Sequence, residues 1–208
     1  MKYINQKQYP DIPYITRQDL TDEKERAYGL TTTVATSGCG LCAAIIMLDR
    51  LLIGVDFSLA DAIDLAEKTG ANRRVGTDYG IYAPALAERF GLDYEASSDP
   101  ERLLMCLRTG GCAVANTAGD RDGYIGVFSH IGHYVVVISE QRDGRIVILD
   151  PALMPGRYDE PGRKGKVEVK NGFCLSDIRY LAEDVRPMDP GFYLFWRRED
   201  RRRAPDKD

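Results

Sequence analysis

The segment Cys39–Leu52 (CGLCAAIIMLDRLL) constrains the fold of this chain most strongly, because it is apolar on nearly all sides and interrupted only by Asp49 and Arg50. A surface helix buries one face, whereas a helix that is hydrophobic all round has to be covered on every side. The run is shorter than the roughly 18 apolar residues that a transmembrane helix requires. We therefore expect a helix at the centre of a globular domain.

The rest of the chain predicts helices first and strands afterwards. Residues 1–37 are polar and loop-like, and later capping residues such as Ser58, Gly91 and Asp99 bracket helical patterns. The predicted helices are Cys39–Leu52, Leu59–Lys68, Gly80–Phe90, Glu101–Arg108 and the short Leu175–Leu181. The predicted strands are Cys112–Asn116, Tyr134–Ser139, Arg145–Leu149, the edge strand Lys166–Lys170 and Gly191–Trp196. Helices followed by antiparallel strands indicate the α+β class.

The bulk properties of the chain limit its setting and its partners. Its length predicts one domain over residues 1–208, with residues 1–30 as an N-terminal extension and residues 197–208 as a charged tail. The net charge of −4 gives no reason to expect a nucleic-acid partner. No segment predicts membrane insertion or a secretory signal. The five cysteines are an odd number, which favours a reducing, cytoplasmic location. Nothing in the sequence indicates the oligomeric state.

Cys39 is the cysteine best placed to act as a nucleophile. It begins the apolar helix between Gly38 and Gly40, and a helix N-terminus favours the thiolate form of a cysteine. The neighbouring glycines leave room for a substrate backbone. The other four cysteines fall within apolar patterns and are interpreted as buried hydrophobic residues. They are Cys42, Cys106, Cys112 and Cys174.

An imidazole base for Cys39 has to come from one of two histidines, His130 or His133. His133 begins a predicted strand, which fixes its backbone, whereas His130 lies in a loop. Asp150 ends the next strand and could accept a hydrogen bond from the second ring nitrogen of His133. Together these residues predict a triad in which Cys39 attacks, His133 acts as the base and Asp150 orients it. A capping cysteine, a structural histidine and an ordinary Asp-Pro turn remain the alternatives.

Three segments that carry these residues resemble a known family. They are Ser37–Ala44 (SGCGLCAA), Gly132–Val137 (GHYVVV) and Ile148–Pro151 (ILDP). In this order they resemble the bacteriocin-leader-processing cysteine peptidase-like family of the papain-like superfamily, over about residues 30–155. The resemblance implies a papain-like fold, Cys39 as nucleophile, His133 as general base and Asp150 as the orienting residue. We therefore expect a hydrolase that acts on a peptide or protein and requires no cofactor or metal.

One position departs from the family pattern. Members usually carry a glutamine six residues before the cysteine, whose amide completes the oxyanion hole, and this chain has Thr33 there. One such donor is worth about 10²–10³ in rate. The backbone N–H of Cys39 can still serve, and the hydroxyls of Thr33, Thr36 or Ser37 are expected to substitute weakly. The departure leaves two alternatives open: a weak or inactive domain that binds a peptide or protein partner, and an acyl transferase with the same triad. A double-glycine leader is not implied as the substrate, because no transporter region is seen.

The same residues could form two other kinds of site. Cys39 and Cys42 have the spacing of a redox pair, although the segment before Cys39 is loop-like rather than a strand. With His130 and His133 they would also provide four zinc ligands, but the long gap between the pairs disfavours a closed tetrahedral site. We expect the loops over residues 71–80 and 117–128 to lie beside the cleft.

Overall fold

The computed structural model of this protein describes residues 2–16, 23, 27, 30–73 and 76–201. Its helices are a 3₁₀ helix at Gln6–Gln8, α1 (Val34–Ser37), α2 (Cys39–Leu51), α3 (Leu59–Thr69), α4 (Tyr79–Phe90), α5 (Pro100–Arg108), α6 (Ile178–Val185) and α7 (Arg198–Arg201). Its strands are β1 (Leu92–Ser97), β2 (Cys112–Thr117), β3 (His133–Glu140), β4 (Arg145–Leu149), β5 (Val167–Lys170), β6 (Phe173–Asp177) and β7 (Phe192–Arg197).

The strands form one sheet with helices on both faces. The strand order is β1-β7-β2-β3-β4-β6-β5, and every neighbouring pair is antiparallel. Helix α2 packs against β2 and β3, with α3 and α4 on the same side, while α5 and α6 pack on the opposite side. The hydrophobic core is therefore divided by the sheet into two clusters, as expected when both faces of a sheet are covered.

Helix α2 runs through the larger of the two clusters. Every side chain from Leu41 to Leu48 is buried, and Leu51 is 4% exposed. The burial follows from the all-apolar sequence, because a helix with no polar face is stable only where it is surrounded by other apolar groups. The helix thus holds its N-terminal residue, Cys39, against the end of the central strands.

Two elements differ from the prediction. The segment Leu175–Leu181 is predicted as a helix, which is correct from Ile178 onwards and wrong before it: β6 continues to Asp177, whose side chain accepts the N–H of Arg179 and starts α6. Strand β1 was not predicted, because its sequence LDYEAS has few residues typical of strands. It forms by pairing with β7, the last strand along the chain.

The two ends of the chain lie partly within the described residues. Residues 2–16 pack on the body of the protein, with Tyr14 fully buried and Ile4 6% exposed. At the other end β7 reaches Arg197, whose Nε lies 2.6 Å from Asp200 of α7. The rest of the predicted charged tail, residues 202–208, is outside the described residues. Among the described helices, none combines the length and the apolar content needed to cross a bilayer.

Candidate active site

Cys39 is the first residue of α2 and lies between two glycines, at positions where neighbouring groups leave no room for a side chain. A Cβ on Gly38 would lie 2.6 Å from the carbonyl oxygen of Val34, and a Cβ on Gly40 would lie 2.7 Å from the Cβ of Thr77. Larger residues at either position would force these neighbours apart. Cys39 is partly exposed, whereas the other four cysteines are buried, which agrees with their interpretation as hydrophobic residues.

The backbone N–H of Cys39 is kept free by the N-terminal segment. If α1 continued without a break into α2, the acceptor for this N–H would be the carbonyl oxygen of Ala35. That oxygen instead accepts hydrogen bonds from Gln6 Nε2 at 3.0 Å and Lys7 Nζ at 2.9 Å. Within the described ranges the N–H of Cys39 has no acceptor. It therefore points out of a helix N-terminus, where unpaired N–H groups favour a negative charge.

His133 and Asp150 stand at the ends of the neighbouring strands β3 and β4. Nε2 of His133 lies 2.7 Å from Oδ1 of Asp150, and the two side chains are 6% and 0% exposed. The carboxylate can only accept, so Nε2 carries the donated proton and Nδ1 is left for Cys39. The ring of His133 and the backbone N–H groups of Tyr134 and Gly40 lie near enough to the Cys39 sulfur to lower the pKa of its thiol.

The carboxylate of Asp150 is surrounded by donors. Oδ1 also accepts the backbone N–H of Ala152 at 2.8 Å. Oδ2 accepts the hydroxyl of Tyr158 at 2.8 Å and lies 2.7 Å from Nε of Arg157. A fully buried carboxylate remains ionised only when such partners replace its hydration. Asp150 is therefore held as an anion in one fixed orientation.

These contacts shift the ionisation of all three residues. Burial raises the pKa of the Cys39 thiol, but the hydrogen bond and charge of His133 outweigh it, so this pKa lies below the usual 9.0. Burial lowers the pKa of His133, but the Asp150 carboxylate, with a smaller contribution from Cys39, raises it to about 9. Burial raises the pKa of Asp150, but His133 and then Arg157 lower it to about 2. The lowered pKa of Cys39 and the raised pKa of His133 both favour the thiolate–imidazolium form of the pair.

The other cysteines have the opposite electrostatic environment. Burial raises the pKa of Cys42, Cys112 and Cys174 to about 12 and holds that of Cys106 well above its ordinary value. Because the thiolate is the reactive form, Cys39 is distinguished from them both by its exposure and by its pKa.

A cleft of about 480 Å³ opens beside Cys39 and His133. Its walls include Thr77, Asp78, Asn116, Tyr134, Met188 and Tyr193. The loop predicted over residues 71–80 lines the cleft through Arg73 and Gly76–Asp78, while residues 74 and 75 are outside the described residues. The loop predicted over residues 117–128 contributes no residue to the lining of this cleft. The cleft combines aromatic walls with polar groups, as substrate pockets commonly do.

The proposed oxyanion hydroxyls lie outside this lining. Thr33 is the N-cap of α1, and its N–H donates to Oγ1 of Thr36 at 2.9 Å. Ser37 is buried, and its Oγ has no hydrogen-bond partner among the described residues. Neither Thr33 nor Ser37 is among the residues that line the cleft. Their contribution to an oxyanion hole stays a prediction.

The alternative redox and zinc sites can be placed on the same structure. Cys39 follows helix α1 rather than a strand, and Cys42 is fully buried one turn further along α2. Both ring nitrogens of His130 face carboxylates, Nδ1 at 2.8 Å from Asp120 and Nε2 at 2.7 Å from Glu160. Across residues 2–16, 30–73 and 76–201, no group of three or more His, Cys, Asp or Glu is placed to hold a metal ion.

Three residues near the site were missed by sequence reasoning. Arg157 and Tyr158 lie in the loop after β4 and reach Asp150 only through the tertiary fold. Asn116 ends the run CAVAN of β2 and lines the cleft beside His133. Asn116 could have been found from the sequence, because it is a polar residue at the end of an otherwise apolar run. Arg157 and Tyr158 carry no such signal.

Comparison with known proteins supports the fold but adds no sequence relative. No family model matches the chain, and no curated protein matches it. Among solved structures, a Bacillus anthracis protein provisionally described as a C39-like peptidase (C39 names a peptidase family, not a residue) aligns with a TM-score of 0.50 at 13% sequence identity. The alignment covers 90% of this chain and 94% of that chain. At this identity the likeness bears on the fold and does not extend to the double-glycine subfamily. The chain therefore shares its α+β fold with this solved structure.

Proposed function

We propose that this protein is a cysteine peptidase or amide hydrolase whose catalytic residues are Cys39, His133 and Asp150. The observation that carries the proposal is the contact chain from the Cys39 sulfur through the His133 ring to Oδ1 of Asp150, at the edge of a cleft. The lowered pKa of the Cys39 thiol supports it, because burial alone would raise that pKa and the contact with His133 reverses the shift.

The reaction follows from these positions. The Cys39 thiolate attacks the carbonyl carbon of the substrate, and the tetrahedral oxyanion accepts the free N–H of Cys39 at the start of α2. The His133 imidazolium gives its Nδ1 proton to the leaving amine, which departs and leaves a thioester on Cys39. Water then attacks the thioester while His133 takes a proton from it, and the tetrahedral intermediate expels the Cys39 thiolate, which releases the acid and restores the thiolate–imidazolium pair. Asp150 holds the ring through Nε2 during both steps.

The activated thiol can be tested without knowing the substrate. We expect the iodoacetamide labelling of Cys39 to slow less between pH 9 and pH 6 than that of an ordinary thiol, because its pKa is lowered. A thiol with an ordinary pKa of 9.0 would slow by about 500-fold over the same range, since its thiolate fraction falls from one half at pH 9 to about 0.001 at pH 6. Peptide mapping by mass spectrometry gives the rate at each cysteine, and His133→Ala should restore the steep pH dependence at Cys39. Labelling of Cys39 that is equally steep in both proteins contradicts an activated pair.

The hydrolysis itself requires a separate measurement. We expect the wild-type protein to generate new N-termini in a mixture of unstructured peptides, and Cys39→Ala to generate none. The matched control is Cys106→Ala, which removes a buried thiol on the opposite face of the sheet from α2. If peptides remain intact with the wild type, or are cleaved equally by Cys39→Ala, the peptidase proposal is wrong.

A further inference from the structure

Asp150 has more partners than the orientation of one imidazole ring requires. One of its oxygens, Oδ1, faces His133, while Oδ2 faces Arg157 at 2.7 Å and the hydroxyl of Tyr158 at 2.8 Å. The two residues that contact Oδ2 are consecutive in the loop after β4. The carboxylate is therefore shared between two cationic side chains, one of which belongs to the catalytic pair.

Arg157 and Tyr158 are themselves fixed by the loop before β3. Nη2 of Arg157 donates to the carbonyl oxygen of Phe128 at 2.7 Å, and the Arg157 side chain is 18% exposed. Tyr158 is 3% exposed, and its ring packs edge-on against the ring of Phe128 with centroids 6.1 Å apart. The loop that precedes His133 and the loop that follows Asp150 thus meet at Phe128. Neither side chain is free to leave the carboxylate without breaking these contacts.

We propose that Arg157 and Tyr158 are positioning residues that hold Oδ2 of Asp150 and limit how strongly its carboxylate attracts the proton of His133. The inference rests on the proposed function, because it assigns them to the same Cys39–His133–Asp150 site. A carboxylate that shares its charge with a guanidinium and a hydroxyl attracts a neighbouring imidazolium less than an unshared carboxylate does. Arg157 and Tyr158 do not touch the reacting atoms and act only through Asp150.

The sign of the effect separates this role from simple structural support. Removing either the Arg157 charge or the Tyr158 hydroxyl leaves Oδ2 of Asp150 with one partner fewer and is expected to raise the pKa of His133 further. If the two residues only supported the loop, their loss would loosen Asp150, and the pKa of His133 would fall. The titratable and charged groups around the pair are Cys39 of α2, Tyr3 and Cys174 beside Asp150, and Arg157 and Tyr158 of the loop.

Histidine NMR measures this directly, because the chain has two histidines, His130 and His133. With ¹³C-labelled histidine, His130→Gln assigns the two signals, and His133 is titrated in the otherwise intact protein. We expect Arg157→Gln and Tyr158→Phe each to raise the pKa of His133 by about half a unit or more, a threefold or larger gain in proton affinity. Arg157→Lys keeps the charge and should stay closer to the wild-type value than Arg157→Gln does.

An unchanged or lowered pKa of His133 in Tyr158→Phe overturns the proposal. This variant removes one hydroxyl from an otherwise unchanged ring, so it carries the test even if Arg157→Gln does not fold. The measurement needs no substrate and is independent of the peptidase assay. Absent peptide cleavage with a raised pKa in the variants would reject the proposed function alone, and intact cleavage with no rise would reject this inference alone.

Discussion

Burial determines how strongly a charged side chain interacts with its partners, and Asp150 is an example in this protein. It is fully buried yet ionised, with partners from β3, from its own loop and from the backbone of Ala152. Asp143 is a useful contrast, because it also pairs with an arginine, Arg145, but its side chain is half exposed. Water screens the exposed ion pair and not the buried one. Loss of the aspartate charge should therefore change the stability much more at Asp150 than at Asp143.

Asp150→Asn is expected to lower the free energy of unfolding at pH 7 by about 3–5 kcal/mol, because it leaves the charge of Arg157 buried beside a neutral amide. Asp143→Asn is the matched control and should change it little. The difference between wild type and Asp150→Asn should also depend on pH. The folded pKa of Asp150 is about 2 and its ordinary value is 3.8, so its stabilisation is complete above about pH 4 and is lost as the pH falls through 2.

Urea unfolding at pH 7, 4 and 2.5 measures this difference. The wild type should lose about 2 kcal/mol of its advantage over Asp150→Asn across the acid range, from a pKa shift of nearly two units. A difference that stays constant with pH, or an equal effect of Asp143→Asn, would show that Asp150 is not ionised in the folded protein.

The position of the α2 N-terminus depends on its close contact with the start of α4 and with the residues just before that helix. The hydroxyl of Tyr79 donates to the carbonyl oxygen of Gly40 at 2.8 Å, and Oγ1 of Thr77 is 2.8 Å from the hydroxyl of Tyr14. Gly40 has no room for a side chain at this contact. The position of Cys39 is therefore set by the packing of two helices and not by α2 alone.

Gly40→Ala is expected to destabilise the protein by about 1–3 kcal/mol, because its Cβ would lie 2.7 Å from the Cβ of Thr77 and the contact would have to open. Gly132→Ala is the matched control at the same cleft, where an added Cβ meets only the carbonyl oxygen of Thr117 at 3.9 Å. Thermal and urea unfolding should separate the two variants. Equal stability of both would mean that the helix N-terminus tolerates a wider separation.

The elements that were predicted correctly and those that were not differ in how locally they are determined. Strand β4 begins and ends at the predicted residues, because β-branched residues and the Asp143-Gly144 turn act over a few neighbouring positions. Strand β6 lies between β4 and β5 and forms because both neighbours supply hydrogen bonds. Short apolar runs such as this one have no periodicity that distinguishes a strand from a helix, so the partners decide.

Across the whole molecule, the N-terminal segment connects parts that are distant in sequence. The hydroxyl of Tyr3 donates to the carbonyl oxygen of Asp150 at 2.7 Å, and the N–H of Gln6 donates to that of Pro151 at 2.7 Å. The side chain of Gln6 reaches Ala35 in α1. Residues predicted as an extension thus bridge the nucleophile side and the carboxylate side of the site.

Gln6→Ala is expected to lower the free energy of unfolding by about 1–3 kcal/mol, because it removes a buried donor from the carbonyl oxygen of Ala35. It should also slow the labelling of Cys39, since that oxygen then keeps only the hydrogen bond from Lys7 and can also accept the N–H of Cys39, which would extend α1 into α2. Gln8→Ala is the matched control in the same 3₁₀ helix, with an exposed side chain. Equal stability and equal Cys39 labelling rates in the two variants would show that the hydrogen bond from Gln6 to Ala35 affects neither quantity.

Residue type and local pattern were enough to predict the α+β class and the central helix, and to propose Cys39, His133 and Asp150 together. Helix periodicity and the presence of two histidines restrict these choices without reference to distant residues. Only the folded structure shows that Asp150 contacts His133, Arg157 and Tyr158 at once. The same is true of the hydrogen bond from Gln6 to the carbonyl oxygen of Ala35, the oxygen that would accept the N–H of Cys39 in a continuous helix. Hydrogen bonds and buried charges depend on atoms brought together across long stretches of sequence, and no local preference encodes those distances.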